Sequence, residues 1–437
     1  MTAESRAVAD AIRPPMRALW SALDAVATPA STLVILAVLV RALSHSDYGI
    51  LVMALAASGL SMAINPAVAA TTTKFVSELS ARPEQGRTLA GVVTTSLMTV
   101  GMIDAILLLA TVAFSEPLSR WVFGASVVQS GRLGELLVLA VLAVGMQQIE
   151  TVLSAAIRGL ERFRRQALIE LVSRATLIAV LTCVAWRTRS LQAILISQCV
   201  VYVLSILVRG IALARLLPHH RLFDLSGRSK AGGLIRYGGW MWLTALAGAA
   251  YTSVDRIILG RTLGTSAAGQ YNIYVQITQL VHFIPNSMFA FSFPAFARLA
   301  AERDPETSAL ARLYRSNLVA IGVTGLSIAA AMSASWPALV RVVAGSGAEP
   351  GSFDATRLLI LNFLLLAFNI APYYLLLALG RARSVSVICT LSMALGLLLM
   401  MTLIPRYGFL GAAVGRMAYG TGALLLLVAA RRALRSA

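Results

Sequence analysis

About twelve apolar runs recur along this chain, each near the roughly 20 residues that an α-helix needs to cross a bilayer core of about 30 Å. They fall at 18–40, 48–72, 89–114, 134–157, 167–186 and 191–214 in the first half. In the second half they fall at 237–259, 267–293, 316–343, 356–379, 385–404 and 410–430. The runs 48–72 and 267–293 are the most polar. No connecting segment is long enough to form a domain of its own. The longest lie near 115–133 on one side and 215–236 on the other. The expected fold is therefore an all-α polytopic membrane protein.

Composition agrees: 58% of the 437 residues are hydrophobic and only 13% charged, against about a quarter charged in soluble domains. The net charge of +18 would ordinarily raise nucleic acid as a partner, but the basic residues occupy short loops between apolar runs. That is where orientation signals belong. Seven of them, including Arg41, Arg120, Arg261 and Arg406, lie on one side, and twenty-four lie on the other. The positive-inside rule then places both termini in the cytoplasm. Residues 1–17 are polar and basic with no cleavage site after them, so no cleaved signal is expected. Cys183, Cys199 and Cys389 lie inside apolar runs at spacings that fit neither a metal site nor a disulfide framework, and read as small core residues.

The chain also resembles itself. An offset of 220 aligns Trp20 with Trp240, Arg41 with Arg261, Ser46 with Ser266, Gly49 with Gly269 and Pro117 with Pro337. Apolar matches arise by chance, but Trp, Arg, Gly and Pro in one register point to a duplication. The expected domains are 1–215 and 237–437, two six-helix bundles joined by a cytoplasmic linker at 216–236. Six is even, so the halves share one topology and relate by a pseudo-twofold along the membrane normal, with a site between them near mid-membrane.

An ionised side chain at a helix centre costs about 2.5–3.5 kcal/mol on insertion scales, so each needs a reason. The first run carries Trp20, Asp24, Thr28 and Thr32 on one face, and the second carries Ser58, Ser61, Asn65 and Thr72. The seventh carries Thr244, Tyr251, Asp255 and Arg256. The eighth is densest, with Tyr271, Asn272, Tyr274, Gln276, Gln279, His282 and Asn286. These are the repeat-related pairs, which favours a shared polar cavity over isolated packing contacts. Elsewhere, Glu150 sits deep beside Gln147 and Gln148, and Glu170 stands one turn from Arg174, close enough to pair. Arg209, on a stripe with Gln198, Tyr202 and Ser205, lies near an inner helix end and is expected to snorkel, as is Arg158. Arg416 lies in the last run with no carboxylate nearby in sequence. His282 reads as a hydrogen-bonded residue and not as a metal ligand. No P-loop is present, which excludes an ATP-driven pump within this chain, and no HExxH, GxSxG or paired-cysteine motif appears. Neither cofactor nor metal is expected.

Several short elements resemble those of a known family. The stretch LVRALSHSDYG, from Leu39 to Gly49, resembles the R-x-L-x(4)-Y-G element that follows the first helix of Wzx-type polysaccharide flippases. Asp255 to Gly260 (DRIILG), with Leu263, Gly264, Gly269 and Tyr271, resembles their D-x-I-I-L-G…L-G…G-x-Y element. Arg158 to Phe163 (RGLERF) resembles the close of their fourth helix, and Tyr407, Gly408, Gly411, Ala412 and Ala413 resemble a late-helix element of the wider superfamily. That superfamily, the multidrug/oligosaccharidyl-lipid/polysaccharide (MOP) exporters, includes MATE multidrug antiporters.

The resemblance implies a MATE-like fold and a non-enzymatic task in the bacterial inner membrane. That task is translocation of undecaprenyl-pyrophosphate-linked oligosaccharide for surface polysaccharide biosynthesis. It implies a polysaccharide polymerase and chain-length machinery as partners, and H+ or Na+ as coupling cation. Some relatives have fourteen helices, and a lipid groove formed by such an extra pair is not expected here. Pyrophosphate suits arginine, which grips phosphate oxygens bidentately and keeps its charge. The candidate contacts are Arg41 and Arg261, equivalent in the repeat, with Arg256 and Arg416 behind them. Asp24, Asn65, Glu150, Asp255, Tyr271, Gln279 and His282 are the candidate cavity and coupling residues. Two other readings stay open: a multidrug/cation antiporter using Asp24, Asp255 or Glu150, and a membrane glycosyltransferase, ligase or polymerase. The second fits poorly, because the outward loops offer few carboxylates, namely Glu116, Glu349 and Asp354.

Overall fold

A computed structural model of the protein describes residues 29–59, 65–80, 86–124, 132–217, 231–289, 307–345 and 353–436, with isolated positions at 27, 61, 296 and 299. Asp24, Trp20 and most of the linker 216–236 lie outside the described residues, and so do the side chains of Asn65 and Trp240. The described elements are all helical. We number them α1 (Pro29–Ala42), α2 (His45–Gly59), α3 (Asn65–Ser80), α4 (Gly86–Ala113), α5 (Ser115–Phe123), α6 (Arg132–Gly159), α7 (Phe163–Thr188) and α8 (Leu191–Ala214). The second half comprises α9 (Ala231–Leu263), α10 (Thr265–Thr278), α11 (Leu280–Phe289), α12 (Thr307–Ala344), α13 (Phe353–Phe368), α14 (Ile370–Ala378), α15 (Ala382–Tyr407) and α16 (Phe409–Ser436).

Among the described residues, eight stretches are long and apolar enough to cross a membrane: Leu89–Ala113, Arg132–Gly159, Phe163–Thr188, Leu191–Ala214, Leu310–Ala344, Asp354–Ala378, Ala382–Tyr407 and Phe409–Leu434. They match eight of the expected spans. The runs 48–72 and 267–293 are each carried by two helices, as is the crossing stretch Asp354–Ala378, in which α13 and α14 meet at Asn369. In the run 48–72 the described helices are α2, ending at Gly59, and α3, beginning at Asn65, with Pro66 in the first turn of α3, where its missing N–H leaves no helical bond unmade. The run 267–293 divides at Gln279 into α10 and α11, and Pro285 inside α11 cannot donate to the carbonyl four residues back. Helix α9 begins at Ala231, inside the stretch 216–236.

Large apolar side chains stand exposed in rows, among them Met98, Met102, Ile106 and Leu109 on α4 and Leu391, Leu395, Leu398 and Met401 on α15. Faces of that size are untenable in water and belong in lipid. Cys183 is exposed on α7, contrary to its reading as a core residue, whereas Cys199 and Cys389 are buried. The chain is a multi-pass membrane protein.

Two compact units are formed, each from three segments. The first comprises Met1–Ile35, Asn65–Leu109 and Leu142–Ile235, and the second Leu36–Ile64, Ala110–Val141 and Arg236–Ala437. The core of the first unites Val76, Leu89, Val93, Leu153, Ile157 and Leu213, from α3, α4, α6 and α8. In the second, Ile321, Leu375, Leu376, Val385 and Leu426 join α12, α14, α15 and α16.

Within the second unit, α2 crosses α10 at backbone distance. A Cβ added to Gly49 would fall 1.8 Å from the carbonyl oxygen of Thr265, and one added to Gly269 would fall 3.0 Å from Tyr48 Cδ1. Only glycine permits such an approach. Ser46 and Thr265 share a hydroxyl hydrogen bond of 3.0 Å at the same crossing, and Asn272 donates to the Tyr48 hydroxyl at 2.7 Å.

Candidate functional site

The second unit holds a buried polar cluster built from α9, α10, α13 and α16. Asp255 on α9 is fully buried, and its Oδ2 accepts from Arg416 Nε of α16 at 2.7 Å. Arg416, 1% exposed, also donates from Nη2 to the Tyr251 carbonyl at 3.1 Å, with its guanidinium 4.5 Å above the Tyr251 ring and 5.7 Å from that of Phe363. Tyr419 stacks on the Tyr251 ring, with centroids 4.5 Å apart. The Tyr251 hydroxyl accepts from Asn362 Nδ2 of α13. The partner that sequence proximity denied to Arg416 thus comes from a helix 161 residues earlier.

Arg256 is the odd charge in this cluster. Its backbone N–H donates to Asp255 Oδ1 at 2.9 Å, but its guanidinium reaches only the Thr252 carbonyl within its own helix. The two side chains diverge, as neighbours on a helix do. Arg256 is 7% exposed, and its Nε has no hydrogen-bond partner. Tyr48 and Tyr271 lie within electrostatic reach of it, and the buried Tyr271 hydroxyl is likewise unpartnered, as is Asn362 Oδ1. Among the described residues the balance is two arginines against one carboxylate, hence one surplus positive charge beside polar atoms with unspent hydrogen-bonding capacity. Buried groups in that condition suit an anionic or polyhydroxylated ligand.

Other expected site residues lie apart from this cluster. Arg41 is exposed and donates from Nη2 to the Val342 carbonyl at the end of α12. Arg261, also exposed, lies over Trp121 of α5, 5.9 Å from the ring centre. At the 220 offset Trp121 corresponds to position 341, so each arginine meets the helix equivalent to its counterpart's partner. Gln279 bonds Gln276 one turn before it. His282 hydrogen-bonds the Leu366 backbone and leaves Nδ1 without a partner. Tyr271, by contrast, belongs to the cluster and packs on Phe409, with ring centres 5.8 Å apart.

Glu150 belongs to the first unit, in a second polar cluster. Arg209 of α8 is fully buried there and pairs with Glu150 at 2.7 Å and Glu170 at 2.5 Å. It also bonds Ser154 at 2.9 Å and Ser173 at 3.2 Å, while Ser205 donates to Glu150 at 2.5 Å. Glu170 holds Arg174 at 2.8 Å as well. Arg209 therefore does not snorkel. The carboxylates of α6 and α7 hold its guanidinium inside the unit, and two acids balance two arginines. Among the described residues no group of three or more His, Cys, Asp or Glu side chains could hold a metal ion.

Two participants escaped the sequence reading. Asn362 is one of two amides in the apolar run 356–379, with Asn369, and that was the available signal. Asp104 on α4 is the other, and its carboxylate accepts from Gln148 Nε2 at 2.7 Å.

A family model described as "Polysaccharide biosynthesis protein" matches residues 18–300. The chain belongs to that family. A curated relative of this family member is the putative O-antigen transporter of Shigella flexneri, 21% identical over 182 residues, which covers 41% of this chain and 42% of the relative. The match thus spans about two fifths of that relative's length. Solved structures show the family member's fold. An inward-facing multidrug resistance MATE transporter of the MOP superfamily superposes with a TM-score of 0.72 at 14% identity, over 95% of this chain and 98% of that one. A Vibrio cholerae MATE transporter gives 0.71 at 13% identity, over 97% and 96%. A Pyrococcus furiosus MOP transporter, described as having a binding pocket of reverse polarity, gives 0.66 at 15% identity, over 96% and 95%. The fold is that of the MOP superfamily.

Proposed function

We propose that this protein is a flippase that moves an undecaprenyl-pyrophosphate-linked oligosaccharide from the inner to the outer leaflet of the bacterial inner membrane, for surface polysaccharide biosynthesis. Membership of a polysaccharide biosynthesis family and a MOP transporter fold support transport over chemistry. The observation that carries the reading is the buried Asp255–Arg256–Arg416 cluster, with its surplus positive charge and unpartnered Arg256 Nε. Pyrophosphate supplies the missing anion, and sugar hydroxyls suit Tyr271 and Asn362. The lipid tail stays in the bilayer. Arg41 and Arg261 are proposed as contacts for the headgroup at the outer mouth.

The reading includes two six-helix halves, 1–215 and 237–437, related by a twofold along the membrane normal, with both termini cytoplasmic. Support comes from the glycine crossing at Gly49 and Gly269 and from the reciprocal contacts of Arg41 and Arg261, all at repeat-equivalent positions. A polymerase and chain-length machinery would take up the exported unit. An antiporter using Asp255 or Glu150 as a free cation-exchange carboxylate is less favoured, because each is already held by an arginine. Deleting the gene and identifying the lipid-linked intermediate tests the reading. Accumulation of pyrophosphate-linked repeat units that Arg256→Gln fails to clear is expected. Normal polymer with sensitivity to cationic dyes would overturn it.

A further inference from the structure

Of the carboxylates well inside the described long helices, Glu150, Glu170 and Asp255 are each paired with arginine. Asp104 is not. It lies on α4 about three residues from the midpoint of the span Leu89–Ala113, turned from the row formed by Met98, Met102, Ile106 and Leu109, which stand 48–69% exposed. Its Oδ1 accepts from Gln148 of α6, and its buried Oδ2 has no hydrogen-bond partner. Gly145, three residues before Gln148 and so on the same face of α6, makes the room: a Cβ there would stand 3.3 Å from Asp104 Cβ and Cγ and 3.4 Å from Oδ2. No charged group among the described residues acts on Asp104. The face opposite it presents the neutral Gln148 and Gly145, and Arg174 and Arg209 of the first unit are engaged with Glu150 and Glu170.

We infer that Asp104, positioned by Gln148 and Gly145, is the proton-coupling site of transport, loading a proton in one state of the cycle and releasing it in another. The inference rests on the transporter reading and names its coupling ion. A half-buried carboxylate whose Oδ2 is buried, with no counter-ion among the described residues, carries a charge that lipid and apolar side chains disfavour, and a proton removes that charge with no other ligand. A hard metal cation instead asks for a shell of about six oxygens, and this place offers one carboxylate and one amide. In the loading step an O–H bond forms between Oδ2 and a proton taken from water on one side of the membrane. In the release step that bond breaks and the proton returns to water on the other side. The Gln148 amide keeps its bond to Oδ1 throughout, which fixes the carboxyl plane.

Asp104→Asn separates coupling from packing, because it keeps the side chain's size and an oxygen for Gln148 but cannot take up a proton. The full chain is reconstituted in vesicles of phosphatidylethanolamine and phosphatidylglycerol, and infrared difference spectra are recorded between acidic and alkaline buffer. A protonated-carboxyl band that titrates in the parent, vanishes in Asp104→Asn and shifts in Gln148→Leu is expected. A spectrum unchanged by Asp104→Asn overturns the proposal. In a deletion strain, Asp104→Asn at normal membrane abundance should restore no polymer, while Asp104→Glu should restore part. Parental export from Asp104→Asn also overturns it, whatever the spectra show. The infrared arm needs no substrate, so failure of the flippase reading, seen as a parent chain that restores no polymer, is told apart from failure of this site.

Discussion

Arg416 and Asp255 form a buried pair whose members depend on each other. Removing one partner of such a pair costs about 3–5 kcal/mol, because the other is left charged and unsatisfied, whereas apolar replacement of both is often nearly neutral. Arg416→Leu and Asp255→Leu should therefore each lower the thermal midpoint in detergent markedly, and the double variant should recover most of the loss. Additive losses would show that the two do not act as a pair. Arg256→Gln should change stability by no more than about 1 kcal/mol, and so barely move the midpoint, since it gives up one hydrogen bond within its own helix, yet it should depress export. Asp255, Glu150 and Arg416 were legible in the sequence, because a charge in an apolar run is costly enough to announce itself. Their pairing was not. Arg416 finds Asp255 across 161 residues, and Arg209 looked free to reach water only because the carboxylates of α6 and α7 that surround it are distant in sequence.

Elements built from long, uniformly apolar runs were legible almost to their ends, as α4, α6, α7, α8 and α15 show. The runs that broke carried prolines and polar side chains, and a hydropathy pattern does not say whether a helix bends or stops at them. The α2–α10 crossing rests on glycine. Gly49→Ala forces a Cβ against the Thr265 carbonyl, backbone on both sides, and overpacking of that kind costs about 1–3 kcal/mol. The variant should show a lower unfolding midpoint and reduced membrane abundance. Gly248→Ala on α9 and Gly210→Ala on α8 serve as controls: an added Cβ meets nothing within 4 Å at either, so both should match or slightly exceed the parent. Equal effects at all three positions would remove the close crossing from the account.

For the whole molecule, the duplication read at an offset of 220 predicts paired behaviour. Arg41→Ala and Arg261→Ala should each reduce polymer export, and the double variant should abolish it. If both serve only as anchors, the double variant at normal abundance will export fully. A reporter active only in the periplasm, fused after Ala437, should be silent, and a strong signal would invert the orientation. The central claim is translocation itself, and it is tested most directly with purified protein in sealed vesicles. Undecaprenyl-pyrophosphate-linked oligosaccharide is loaded and its exposure to a membrane-impermeant glycosidase followed. We predict that the protein exposes the protected pool faster than empty vesicles do and that Arg256→Gln slows this. Exposure no faster than in empty vesicles from correctly folded protein, with a cationic dye crossing instead, would contradict the account.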